Sequence, residues 1–238
     1  KKRCHKNGKY VNGKRDNGFY YTEYTDCTIR ELREVESQVS FKDVYHRYKP
    51  NFGLEFKDSN VPTIDPYYFG LWLADGRSNC TSIKITDPVL WEYLDNFAKN
   101  NNIEYKISIT EATHNRKEAR EYYYKDNCLR QCFKDYGLVY QTGCVPNKYI
   151  PDDFLTATKE SRLQLLAGII DGDGTYDRGR KNFAIYVGLS KGLAKSYLRL
   201  VQSLGFRGSL TSRNREGHKE IFIIRVNGNI NVIPTKLH

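Results

Sequence analysis

Methionine is absent from this 238-residue chain. Translation begins with Met, so the expectation is a shortened chain or a segment released from a longer polypeptide. Lys1-Lys2-Arg3-Cys4-His5-Lys6 reads as a cut through the middle of something and not as a targeting sequence. An apolar run of about 18 residues is also missing, which argues against a membrane span and a membrane partner. Cysteine is present but unpatterned: Cys4, Cys27, Cys80, Cys128, Cys132 and Cys144 show no disulfide spacing. A reduced, intracellular protein is expected, nuclear in a eukaryotic host and cytoplasmic otherwise. Cys128 and Cys132 lie one helical turn apart, but no second pair has zinc-ligand spacing, so buried thiols are expected and zinc is not.

Acidic residues are in short supply. Asp and Glu number 28 against 38 Lys and Arg, a formal charge of +10. That balance suits a polyanion, nucleic acid first, because neutralised phosphates release condensed counterions. Charge alone fits equally well a basic protein with no such partner. A hydrophobic share of 39% and an aromatic share of 13% argue against disorder, and the length suffices for one large domain or two small ones.

Residues 1–60 read as an appended basic segment. Its first sixteen residues mix Lys, Arg, Gly and Asn as in a flexible arm or hairpin, and a helical pattern starts at Thr28 and gives way to an aromatic-basic stretch from Phe41 to Tyr48. Two short buried helices then stand out, Asp65 to Gly76 and Leu165 to Gly174. The first carries Asp65 as N-cap and Pro66 at its first position, and each ends in a Gly suited to the left-handed conformation. Similar elements follow each. After Asp75 come a strand-like Thr81 to Thr86, a helix-like Pro88 to Lys99 and a strand at Tyr105 to Thr110. After Asp173 come Phe183 to Leu189, a helix-like Lys191 to Leu204, and strands near Gly208 to Ser212 and Glu220 to Val226. The units close alike, on Pro146-Asn147-Lys148 and Pro234-Thr235-Lys236. An internal repeat follows, with units 61–155 and 156–238.

Both helices put an Asp, Asp75 or Asp173, in the last turn, where the helix dipole disfavours an anion by about 0.3–1 kcal/mol. Small residues four apart, Gly70 with Ala74 and Gly168 with Gly172, let the two backbones cross closely and bring the carboxylates together. Two such carboxylates repel unless one is protonated or a cation lies between them. Oxygen ligands without His or Cys suit Mg²⁺ (or Mn²⁺), which takes its remaining ligands from water and phosphate. An isolated Asp-Gly after a helix is commonly a plain turn; its repetition on matched helices is what points to a site.

Tyr68-Phe69-Gly70-Leu71-Trp72-Leu73-Ala74-Asp75-Gly76 and Leu166-Ala167-Gly168-Ile169-Ile170-Asp171-Gly172-Asp173-Gly174 resemble the two LAGLIDADG motifs of single-chain homing endonucleases. The second is nearly a consensus match. The first has Leu73 where the motif has its inner Asp, a position of packing or capping. Asp65-Pro66-Tyr67 ahead of the first motif and Asn147-Lys148-Tyr149-Ile150-Pro151 ahead of the second are similar to intein endonuclease domains, over residues 61 to 238. A convincing N-terminal splicing Cys or terminal His-Asn pair is lacking, so the expectation is an endonuclease region cut from an intein, with residues 1–60 a remnant of a splicing or DNA-recognition region.

The resemblance implies an α+β fold of two pseudo-symmetric αββαββα units whose saddle-shaped antiparallel sheets sit in the DNA major groove. It implies a monomer on double-stranded DNA with a long asymmetric target site. Asp75 and Asp173 would each bind metal and serve one strand, with the carbonyls of Ala74 and Gly172 completing the coordination. Lys148 and Lys236 would lie near the scissile phosphates, stabilising transition-state charge or polarising the water network, and cleavage across the minor groove would leave short 3′ overhangs. The other reading keeps the scaffold without the chemistry: an inactive DNA-binding regulator or an RNA-splicing maturase.

Period-two alternation assigns the groove-facing positions. Ser82, Lys84 and Thr86 stand opposite Ile83 and Ile85; Lys106, Ser108 and Thr110 form a second set; Arg207, Ser209, Thr211 and Arg213 a third, continued by Arg225 and Asn227. Arg116, Lys117, Arg178, Arg180, Lys181, Arg215, His218 and Lys219 fall in loop-like segments suited to phosphate contact. Each could equally be an ordinary exposed polar residue. Tyr122, Tyr123 and Tyr124 are expected to pack on the sheet, since duplex DNA exposes few base faces.

Overall fold

A computed structural model describes residues 2–5, 10–11, 14–15, 19–23, 53–57, 59, 61–77, 80–139, 148–188, 190–214 and 220–238, those before 24 as backbone only. The chain divides into two compact units, Lys1–Pro50 and Asn51–His238. In the first, β1 (Lys2–His5) pairs antiparallel with β4 (Phe19–Glu23), and β2 (Tyr10–Val11) with β3 (Lys14–Arg15). The expected basic arm is therefore drawn into short strand pairs. The helical pattern expected from Thr28 lies outside the described residues.

The second unit is α+β with two antiparallel sheets. Helix α1 (Pro66–Asp75) starts where the sequence places it: the Asp65 side chain accepts from the Tyr68 N–H at 2.8 Å, and Pro66 needs no partner for a missing N–H. From Tyr67 through Leu73 every residue is buried, as in a helix surrounded by protein. After it come β5 (Ile83–Ile85), α2 (Pro88–Asn100), β6 (Tyr105–Thr110), β7 (Ala119–Tyr124) and α3 (Asn127–Asp135), the strands ordered β5-β7-β6. The Tyr122 to Tyr124 run is thus part of the central strand: Tyr122 is buried, Tyr124 half-buried and Tyr123 exposed, in alternation.

A short α4 (Asp152–Leu155) leads to α5 (Lys159–Asp173), which begins six residues before the expected Leu165 because Thr158 caps it through the Ser161 N–H. Then follow β8 (Gly174–Asp177), β9 (Asn182–Gly188), α6 (Lys191–Ser203), β10 (Arg207–Arg213), β11 (Ile221–Asn227) and a 3₁₀ turn at Ile230–Val232, with strand order β10-β11-β9-β8. The element order repeats, but among the described residues the first sheet has a single Gly76–Ile83 bridge where the second has β8. An aromatic cluster of Tyr68, Phe69, Trp72, Phe97, Phe133 and Phe154 fills the core under the first sheet.

Gly76 (φ −72°, ψ 150°) and Gly174 (φ −96°, ψ 163°) are extended, not left-handed as expected. They are required for space instead: a Cβ would come within 2.2 Å of the Trp72 ring at Gly76 and 2.5 Å of the Ile170 carbonyl oxygen at Gly174. Cys128 is exposed and Cys132 half-buried, correcting the expectation of buried thiols at this pair.

Candidate active site

Helices α1 and α5 pack along one another with main chain against main chain. A Cβ added to Gly70 would lie 2.4 Å from the Leu165 carbonyl oxygen, and one on Gly168 would lie 2.2 Å from that of Tyr67. One on Gly172 would meet Ala74 Cβ at 2.3 Å, with Asp75 Oδ2 at 3.5 Å from it. The small residues therefore bring the ends of the two helices, and Asp75 and Asp173 with them, to one place.

Asp75 opens to solvent and Asp173 is half-buried. Lost hydration and then the charge of Asp173 push the Asp75 carboxyl up to about 7, against a smaller opposing pull from Lys148. Lost hydration raises Asp173 to about 6, again against Lys148. Burial depresses the Lys148 ammonium to about 8, resisted by Asp173 and Asp75. Two acids and one base thus form a single electrostatic cluster. Tyr197 on α6 lies within the field of the pair. Its buried hydroxyl has no partner among the described residues, and burial followed by the charges of Asp173 and Asp75 holds it protonated.

Lys148 does not stand free beside the pair. Its ammonium donates to the carbonyls of Trp72 (2.7 Å), Leu73 (3.0 Å) and Gly76 (2.7 Å), and lies 4.7 Å from the centre of the Trp72 indole ring. These bonds occupy all three of its N–H groups. It therefore caps the negative end of α1, a commitment added to the expected place near the scissile phosphates. Lys236 departs further. Its ammonium sits over Tyr67 and Tyr93, 4.8 and 5.0 Å from the ring centres, and its backbone N–H donates to Asp171 at 2.6 Å. Asp171 also accepts from Leu237 N–H and from the Tyr67 hydroxyl. The inner Asp of the second motif is a structural clasp, and the first motif, with Leu73 there, uses the Lys148 side chain in its stead.

A divalent cation fits the donors present. Two carboxylates, each more basic than usual, stand at neighbouring helix ends, and Lys148 takes three nearby carbonyls but not that of Ala74. Among the described residues there is no cluster of three or more His, Cys, Asp or Glu side chains. Asp75 and Asp173 would supply the charge, the carbonyls of Ala74 and Gly172 would add oxygen, and water or phosphate would complete the ion's ligands.

The outward faces of the sheets carry most of the expected polar residues. Lys84, Thr86, Lys106 and Ser108 are exposed; Thr110 is half-buried and accepts from Lys84 at 3.1 Å. Ser82 corrects the expectation of an exposed side chain: it is 1% exposed, with its hydroxyl on Glu121. Arg116 and Lys117 are exposed in the β6–β7 loop, and Arg178, Arg180 and Lys181 in the β8–β9 turn. Arg207, Ser209, Thr211 and Arg213 are all exposed on edge strand β10. Arg225 and Asn227 are half-buried beside them, Arg225 within 3.5 Å of Asp177 and Asn227 bonded to Asn182. Arg215, His218 and Lys219 lie outside the described residues.

Sequence reasoning passed over several groups on these faces. Thr211, Ile223 and Tyr186 pair across three strands, as do Arg213, Ile221 and Gly188, so Ile221, Ile223 and Tyr186 share the outward face with the basic residues. Alternation along β11 carried the signal for the isoleucines. Arg77, directly after Asp-Gly, forks onto Glu121 with Nε–Oε1 at 2.5 Å and Nη2–Oε2 at 2.9 Å, a pairing 44 residues apart with no local signature.

No family model matches the chain. Over 158 residues it is 29% identical to a replicative DNA helicase DnaB of Mycobacterium intracellulare, a match that takes in 66% of this chain and 22% of the helicase. Among solved structures it is similar to I-DmoI in complex with DNA and Ca (13% identity, 71% of this chain and 84% of that one, TM-score 0.48). It is also similar to I-DmoI with DNA and Mn (13%, 68% and 88%, TM-score 0.48). A further likeness is to the N-terminal LAGLIDADG domain of DUF199/WhiA (9%, 71% and 80%, TM-score 0.45).

Proposed function

We propose that this chain is a LAGLIDADG-type, site-specific DNA endonuclease of intein origin, which uses Mg²⁺ or Mn²⁺ to hydrolyse one phosphodiester on each strand. The observation that carries it is the meeting of Asp75 and Asp173 at helix ends whose backbones touch, an arrangement that is unfavourable without a cation. Basic strands on two sheets of the same compact unit support DNA as the substrate. The sequence likeness to part of a replicative DNA helicase accords with an element carried inside a longer host chain.

In this reading Asp75 and Asp173 hold the ion and, as carboxylates, orient water toward the scissile phosphate. The bound ion supplies Lewis acidity toward water and the leaving oxygen. Lys148 is a positioning residue: it holds the end of α1, and hence Asp75, against its three carbonyls. Lys84, Lys106, Arg207 and Arg213 neutralise phosphate along the sheets, and the duplex is bound by one copy of the chain.

The test is incubation of the purified chain with DNA carrying its presumed insertion site in Mg²⁺, in EDTA, and with Asp173→Asn. Specific double-strand cuts that vanish in the last two are expected. One observation favours the other reading, a DNA-binding regulator or maturase: both candidate lysines are engaged within the protein. Tight sequence-specific binding with no cleavage in Mg²⁺ or Mn²⁺ would select it.

A further inference from the structure

Glu121 stands on the outward face of the first sheet. It pairs in register with Lys84 on one side and Ser108 on the other, both exposed. A carboxylate at the centre of a basic surface repels phosphate, so on a plain polyanion-binding face it would only weaken binding. Yet Glu121 is 4% exposed and fully engaged, accepting from Ser82 Oγ at 3.0 Å and from Arg77 Nη2 at 2.9 Å, with Arg77 Nε in ion-pair contact with its other oxygen. Burial alone would raise its carboxyl, but hydrogen bonds from Tyr123, Arg77 and Ser82 more than offset this and hold it below the usual range.

The arrangement is lopsided. The acid is covered while the Arg77 side chain stays 54% exposed. A guanidinium has five N–H groups in a rigid plane, and Glu121 lies along the edge of Nε and Nη2, accepting from Nη2. The terminal edge, with one N–H from Nη1 and the second from Nη2, stays open, and it is an edge that matches O6 and N7 of guanine in the major groove. An exposed arginine ordinarily loses side-chain entropy when it binds; this one is fixed in advance by a buried partner. By contrast, Lys84 is a single charge on a flexible stem, tied to Thr110.

We propose that Arg77 is a specificity-determining residue that reads a guanine in the major groove, and that Glu121, backed by Ser82, is the positioning residue that holds its guanidinium for that contact. The inference rests on the endonuclease reading for its DNA partner and names a base and a residue that this reading does not. Because Arg77 follows Asp75 by two residues, the guanine belongs to the part of the target next to the cleaved bonds.

The test is selection from a pool of duplexes carrying a randomised stretch, bound in EDTA so that nothing is cut, and sequenced for the unaltered protein, Arg77→Ala, Arg77→Lys and Glu121→Gln. The unaltered protein should enrich a motif in which one position prefers guanine by about 10- to 100-fold. Both Arg77 variants should lose that preference at that position alone. Glu121→Gln should reduce it to a few-fold while binding unselected duplex no more weakly, since it removes a negative charge. Even loss or gain of affinity without change at any one position overturns the inference and leaves the endonuclease reading intact. Failure of the unaltered protein to enrich any motif overturns both. Arg77→Ala, at an exposed side chain, keeps the test decisive if Glu121→Gln does not fold.

Discussion

Tyr67 on α1 donates a 2.6 Å hydrogen bond to Asp171 on α5, joining the two motif helices across 104 residues of sequence. Burial, then the bond to Asp171 and its charge, hold the phenol well above its usual range, so the bond persists at any working pH. Asp171 has two further donors in the backbone of Lys236 and Leu237. Tyr67→Phe should therefore remove one of three bonds, costing about 1–2 kcal/mol and lowering the melting temperature by about 2–6 °C. Asp171→Leu should cost more, since two tail N–H groups lose their acceptor; thermal denaturation of both variants checks the order.

Stability of the metal-free protein should fall as pH rises from about 4 to about 7. Asp75 and Asp173, at about 7 and about 6, bind protons in the folded chain where unfolded carboxyls, near 3.8, have lost them. Their repulsion is absent at low pH and complete above pH 7. Asp75→Asn should flatten the dependence and raise the melting temperature at pH 8 by a few degrees, the exposure of Asp75 limiting the effect. Titration calorimetry with Mg²⁺ should show affinity increasing from pH 6 to 7.5, because the ion competes with those protons.

Lys148→Met should destabilise the fold by about 2–3 kcal/mol, the value of charge-assisted bonds to carbonyls at a helix end. It should also raise the apparent pKa of the aspartates, since the positive charge that lowers both is removed. Cleavage measured against pH would then lose its acid-side activity first. An unchanged profile would mean that the ammonium acts on the fold alone.

Gly168→Ala should be far more damaging than its size suggests. Its methyl would lie 2.2 Å from the Tyr67 carbonyl oxygen and 3.0 Å from Leu71 N, so the helices must separate. A loss of about 3 kcal/mol is expected, at the upper end for overpacking. Chemical denaturation should show the midpoint fall, and any folded remainder should cleave poorly because Asp75 and Asp173 have moved apart.

Helix α1 was legible because its signals are local: Asp65 caps, Pro66 follows, and every position to Leu73 is apolar or small. Helix α5 was legible only in its second half. Its first half contains Arg162, which is wholly buried and donates to the carbonyls of Ala157, Ser203 and Leu54, partners invisible in the neighbouring sequence. Strand β7 was obscured in the same way, since Glu121 interrupts an aromatic run and its partner Arg77 comes from before the sheet. The meeting of the aspartates could be inferred because small residues at fixed spacing carry it. The commitments of Lys148 and Lys236 could not, because they depend on which carbonyls and rings tertiary folding brings within reach.

The seam at Gly70 and Gly168 sets main chain against main chain, and at Gly172 main chain against the Ala74 methyl. Spacing fixed in this manner is a property of the polypeptide itself and is indifferent to what the exposed strands carry. In the proposed endonuclease reading, mutational drift across those strands would redirect what the protein recognises while Asp75 and Asp173 keep their places, leaving recognition and chemistry free to evolve at different rates.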